Sequence, residues 1–213
     1  MEKSFDETVK YFRGNPYSRL DWPVRLSERV VVAPSYGNCS AGENELVIRI
    51  DPGMAFGTGT HPTTALCMNL IEEHLKKGDH FLDVGTGSGI LGIAAARLGA
   101  SRVLGLDIDP DALEAAARNL EQNRVGGIME VGATPVDRVE ETFEVVVANL
   151  TATLHTQMST SLANRVGERG WLLLGGILDE QMEEVVDSFR HYEFRVVESR
   201  SAEEWRAILL RRN

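Results

Sequence analysis

Phe81-Leu82-Asp83-Val84-Gly85-Thr86-Gly87-Ser88-Gly89-Ile90 is the stretch on which the fold turns. Residues 80–84 read as a short buried strand. The glycines after it let the chain turn sharply and let a ligand approach the backbone with no Cβ in the way. A helix from Ile90 to Leu98 follows, stopped by Gly99. A dinucleotide fingerprint would place glycine or alanine where Ile90 stands. Gly-Lys-Ser/Thr is absent, which excludes a nucleoside-triphosphate loop. A tight strand–helix junction is the bland alternative, but D-x-G-x-G-x-G after a buried strand favours a ligand site.

Moving outward, residues 102–106 form a second strand that ends at Asp107, roughly 20 residues past the turn, where a carboxylate can accept from both hydroxyls of a ribose. Ile108 is grouped with it in the ligand site. Asp109 precedes Pro110 and reads instead as the cap of the helix that Pro110 opens. Asp83 has two open roles, orienting an ammonium group of the ligand or holding loop N–H groups. Further strands are expected at 128–131, 143–148 and 171–174, with helices near 153–166 and 179–189. Val145-Val146-Val147-Ala148 is apolar without alternation, as in a strand covered on both faces. Strands at 194–198 and 205–210 are joined too closely for a crossover helix and should pair antiparallel.

Alternating strand and helix imply an open, doubly wound sheet. The terminal antiparallel hairpin points to the methyltransferase variant, since dehydrogenases of this class usually finish with another parallel strand. The expected fold is α/β and Rossmann-like, of the class I methyltransferase type: a mostly parallel seven-stranded sheet with a C-terminal antiparallel hairpin and helices on both faces. That domain is assigned to residues 51–213. Residues 1–50 are read as an extension. Within residues 1–20 a short helix ending near Gly14-Asn15-Pro16 has Phe5, Val9 and Phe12 on one side, set to cover the core and a substrate cleft in preference to contacting a second subunit. Extended segments at 24–32 and 45–50 are expected to form a hairpin across a turn-rich connection.

With 32 acidic against 22 basic residues the chain carries a formal charge of −10, which disfavours non-specific binding to phosphate backbones. No apolar stretch is long enough for a bilayer, and the charged start lacks a signal peptide's apolar run. Cys39 and Cys67 have no metal-ligand spacing and read as reduced thiols of a cytoplasmic protein. No metal is expected.

Ahead of the domain stands Asp51-Pro52-Gly53-Met54-Ala55-Phe56-Gly57-Thr58-Gly59-Thr60-His61-Pro62-Thr63-Thr64. Its small, polar and hydroxyl residues suit a loop closing over a ligand, with Phe56 available to cover it, before a helix starts at Pro62.

These motifs, D-P-G-M-A-F-G-T-G-T-H-P-T-T, D-V-G-T-G-S-G-I-L, G-L-D-I-D-P and V-V-V-A-N-L-T-A, together with S-A-E-E-W-R-A-I, resemble the PrmA family of ribosomal protein methyltransferases. The resemblance runs from about Trp22 to the end. It implies S-adenosylmethionine as cofactor and N-methylation of protein amino groups. It also implies cofactor contacts at Thr64, Gly85, Asp107 and Asn149, with Phe56 and Thr58 over the donor. Gly87 and Gly89 complete the turn. Asn149, facing the acceptor, is the candidate catalytic residue; with the Leu150 carbonyl it would aim an amine. His61 and His155 are expected to be loop or helix-surface residues. The family carries a large N-terminal recognition domain, whereas about 50 residues precede Asp51 here. It also usually reads Asn-Ile-Leu-Ala where this chain has Asn149-Leu150-Thr151-Ala152. Both departures concern the acceptor, expected to be a protein or a small molecule. A nucleic-acid methyltransferase is disfavoured by the charge and by the lack of an Asn-Pro-Pro-aromatic motif. A non-catalytic donor-binding subunit is the remaining alternative.

Overall fold

The computed structural model describes residues 22–35, 39, 42–50 and 61–213. The helix expected near residues 5–12 and the loop bearing Phe56 and Thr58 lie outside the described residues. Strands β1 (Val24–Arg25), β2 (Val30–Ala33) and β3 (Leu46–Arg49) precede helix α1 (Pro62–His74). The main run is β4 (His80–Val84), α2 (Ile90–Leu98), β5 (Arg102–Leu106), α3 (Pro110–Gln122), β6 (Met129–Gly132) and β7 (Phe143–Asn149). After it come α4 (Ala152–Gln157), α5 (Ser159–Arg165), β8 (Val166–Leu178), α6 (Met182–Ser188), β9 (Phe194–Ala202) and β10 (Trp205–Arg212).

Among the described residues the larger sheet has seven strands in the order β6-β5-β4-β7-β8-β10-β9. The first five of these pair in parallel, and β10 runs antiparallel to both β8 and β9. This is the expected class I methyltransferase sheet with its terminal hairpin. Successive side chains of β4 and β7 enter opposite layers, as the two-residue period of a strand demands. Phe81, Val145 and Val147 pack with α1 and α2, while Leu82, Val146 and Ala148 pack with Leu162, Val185 and Phe189. Each fully buried side chain of this size contributes about 1.5–3 kcal/mol relative to exposure. No helix among the described residues is long and apolar enough to cross a membrane.

The structure corrects three local expectations. The segments at 24–32 and 45–50 do not form a hairpin: β2 and β3 pair in parallel, Val30 opposite Leu46, and the antiparallel partner of β2 is the short β1. A connection of about a dozen residues is long enough for a parallel crossover, so spacing could not separate the two arrangements. The helix expected over 153–166 is two, broken at Met158. This segment is rich in hydroxyls, which compete for backbone groups: Thr156 donates to the carbonyls of Ala152 and Thr153. The helix expected over 179–189 is α6 preceded by a tight 3-10 turn, Asp179–Gln181.

The small sheet does not stand apart. Trp22, Leu26, Val30, Val32, Ile48 and Ile50 share a core with α1 and α2. At the end of α3, the Asn123 side chain accepts from Arg49 N at 2.8 Å and donates to Arg49 O at 2.7 Å.

Candidate functional site

A cavity of about 770 Å³ opens where β4, β5 and β7 end. Strand order reverses about β4 there, the usual position for a ligand on an open α/β sheet. Seven of the expected site residues line it: Thr64, Asp83, Gly85, Gly87, Asp107, Ile108 and Asn149. Gly89 is not on the wall; it adopts a left-handed conformation (φ 81°) as the N-cap of α2, so its part is to shape the turn.

The turn is fastened from both sides. The N–H groups of Gly85 and Thr86 donate to the Leu106 carbonyl at 2.8 and 2.9 Å. Gly85 has φ +73°, and a Cβ there would run into the Leu150 side chain, so glycine is required twice over. Beneath the turn, Asp83 Oδ2 accepts from Thr86 Oγ1 at 2.7 Å and from Gly92 N at 3.2 Å. Of its two open roles, holding the loop is therefore seen directly.

Burial pushes the Asp83 carboxyl up to about 6 from its ordinary 3.8; the two hydrogen bonds oppose this and the nearby Asp107 charge adds to it. A carboxyl with a raised folded pKa binds its proton more tightly in the folded than in the unfolded chain. Stability is thus greatest below about pH 4 for this group and is lost as pH rises through about 6. Asp83→Asn, which can still accept from Thr86, should be more stable than wild type at pH 7 by on the order of 2 kcal/mol and equal to it near pH 4. Urea denaturation across that range measures the difference, and parallel curves at all pH values would refute the assignment.

Asp107, just past the end of β5, accepts from Gly87 N at 2.9 Å through Oδ2 and from Asp109 N at 3.0 Å through Oδ1. A carboxylate has about four lone-pair positions, so each oxygen keeps one for a ligand. Asp109 accepts from Asp111 N at 2.9 Å and caps α3. Ile108, 90% exposed, is an apolar side chain held at the rim with little protein over it.

Across the cavity, Asn149 ends β7 opposite Gly175 of β8. Asn149 Oδ1 and Thr64 Oγ1, both buried, have no hydrogen-bond partner among the described residues. Buried polar groups are normally satisfied, so two that lack a partner among the described residues and line one cavity are suited to a ligand's polar atoms. Leu150, Leu154, Met158 and Trp205 make the neighbouring wall apolar.

His155 departs from expectation, while Trp205 and the loop residue His61 gain a place on the cavity wall. Trp205, which begins β10, stands in the motif S-A-E-E-W-R-A-I, which carried no site assignment for it; it lines the cavity. His61 lines the cavity and caps α1 through Thr63, with its ring centroid 4.8 Å from that of Trp205. His155, expected on a helix surface, is fully buried, because the first turn of α4 lies against β8.

Comparison with known proteins follows this geometry. The family model described as "Ribosomal protein L11 methyltransferase (PrmA)" matches residues 19–213. The ribosomal protein L11 methyltransferase of Geotalea daltonii is 38% identical over 208 residues, covering 92% of this chain and 66% of that protein. Its counterpart from Geobacter metallireducens is 43% identical over 187 residues, covering 88% and 62%. The chain thus spans just under two-thirds of the length of these relatives. A crystal structure of ribosomal protein L11 methylase from Lactobacillus delbrueckii subsp. bulgaricus superposes with a TM-score of 0.84 at 31% identity, covering 90% of this chain and 99% of that one. A methyltransferase from Pyrococcus furiosus, at 17% identity and TM-score 0.64 over 77% of this chain and 88% of that one, shares the fold.

Proposed function

The chain belongs to the ribosomal protein L11 methyltransferase (PrmA) family, and from that premise we propose that its cavity binds S-adenosylmethionine and directs N-methylation of amino groups on ribosomal protein L11. The observation that carries the proposal is the pair of buried atoms, Thr64 Oγ1 and Asn149 Oδ1, that have no hydrogen-bond partner among the described residues and line a cavity that also holds Asp107. Its volume of about 770 Å³ falls in the range of small-molecule sites.

When bound, S-adenosylmethionine supplies a methyl group already activated by its sulfonium charge. The chain's own task is then positioning and exclusion of water. Asp107 would hold the ribose hydroxyls on its free lone pairs, and Ile108, at the rim, would flank the base. The turn at Gly85 and Gly87 would leave room for the methionine portion, and Thr64 Oγ1 would bond to it.

An amine must arrive unprotonated, although its free pKa is about 10.4 for lysine or 8 for an α-amino group. Desolvation against Leu154, Met158 and Trp205 favours the neutral form. The Asn149 side-chain oxygen and the Leu150 carbonyl accept the remaining N–H bonds and aim the lone pair. No side chain is assigned as general base.

Incubating the protein with methyl-labelled donor and purified ribosomal protein L11, and separately with small amines and with ribosomal RNA, tests this. Label is expected on amino groups of the protein acceptor. Label confined to small amines or RNA, or no label at all, would overturn the reading.

A further inference from the structure

His155 lies in the first turn of α4, is 0% exposed, and is not on the cavity wall. Its Nε2 is 2.8 Å from the Gly175 carbonyl oxygen. A carbonyl only accepts, so this contact requires the ring proton on Nε2. Nδ1 is buried with no hydrogen-bond partner among the described residues. Burial holds the imidazole below its ordinary pKa, against the opposing pull of the Gly175 backbone and of the Leu150 backbone that also faces the ring. A neutral ring in a single tautomer is a fixed donor and not a proton shuttle.

What it donates to matters. The Gly175 oxygen also accepts the Leu150 N–H, at 3.2 Å, and Gly175 is the strand partner of Asn149. Next to it Gly176 has φ +77°, and a Cβ there would collide with the Leu150 carbonyl oxygen. One carbonyl thus ties the imidazole to both residues that face an incoming amine. Two successive glycines make this stretch of β8 intrinsically soft, and the Leu150 bond is long. A second donor on the same oxygen stiffens it.

We propose that His155 is a positioning residue: its Nε2–H, held on the Gly175 carbonyl, fixes the Asn149–Leu150 corner against which the acceptor amine is aimed. This rests on the amine-aiming role given to that corner under the proposed function. A merely structural histidine would satisfy the same carbonyl but would affect only stability.

The test compares His155→Leu, which keeps bulk and loses the donor, with His155→Gln, whose amide N–H can reach the same carbonyl. The Leu variant should bind S-adenosylmethionine within about twofold of wild type and keep its acceptor KM within about threefold. Its kcat should fall about 30-fold, a loss of the size that sub-ångström misplacement produces. The Gln variant should recover at least about a third of wild-type kcat. A Leu variant with kcat near wild type, or Leu and Gln variants equally impaired, would overturn the proposal.

A second measurement does not depend on turnover. The Asn149 side-chain amide resonances should be sharp in wild type and shifted or broadened in His155→Leu; unchanged resonances overturn the proposal. If that signature appears while the wild type methylates no amine, the methyl-transfer reading falls and the corner's dependence on His155 stands. Ring nitrogen shifts showing an Nδ1–H tautomer in the wild type would also overturn the proposal, because that tautomer is incompatible with the bond to Gly175.

Discussion

Asp107→Ala should weaken S-adenosylmethionine binding by about 10³-fold, whereas Asp109→Ala should leave it within about threefold of wild type. A hydrogen bond to an ionised acceptor contributes about 1.5–3 kcal/mol, and Asp107 has one lone pair free on each oxygen for the two ribose hydroxyls. The same substitution also strips Gly87 N and Asp109 N of their acceptor, so the turn loses its fastening together with the ligand contacts. Asp109 faces a different duty. Its side chain caps α3, and removing it should cost about 1 kcal/mol of folding stability. Titration calorimetry and urea denaturation on the two variants separate these effects. Micromolar affinity retained by Asp107→Ala would dismiss the ribose assignment, and an exchange of the two phenotypes would move it to Asp109.

Asn149→Ala is expected to lower kcat about 10²-fold and to weaken donor binding less, by about tenfold, as the loss of one hydrogen-bond acceptor would. The lost oxygen aims the acceptor, so the larger effect belongs to turnover. The structure adds a less obvious expectation. Because Asn149 Oδ1 is buried with no hydrogen-bond partner among the described residues, its burial against them costs about 1–3 kcal/mol of desolvation. Truncation removes that cost, so the nearly inactive variant should melt no lower than wild type. Such a trade of stability for activity is common where a site is built for a ligand. Steady-state kinetics with a scanning melt measures both. Wild-type turnover in Asn149→Ala would end the aiming role.

The main sheet was legible because its strands are apolar runs bounded by glycines, by prolines and by Asp107. Each signal is local, and each helix is bracketed by strands. The small sheet was not, since whether β2 and β3 run parallel depends on packing against α1 and α2 and not on the residues between them. Of the site, the residues at the ends of β4, β5 and β7 could be read from motifs. Trp205 stood in a motif, but its place on the cavity wall was not legible, because β10 is brought there by the antiparallel return of the chain, far in sequence from the glycine turn. His155 was misjudged for a related reason. α4 has only six residues, too few for a periodic pattern to reveal its buried face, and that face is set by the glycines of β8.

Asn123 does for β3 what a further strand would do. An exposed strand edge offers unpaired N–H and C=O groups to any extended segment of another molecule, which is how edge-to-edge aggregation begins. By giving the Arg49 backbone both an acceptor and a donor, the Asn123 amide occupies that template at one position without adding a strand. The colloidal behaviour of the small sheet therefore depends in part on a single carboxamide borrowed from the end of a helix, 74 residues away in sequence.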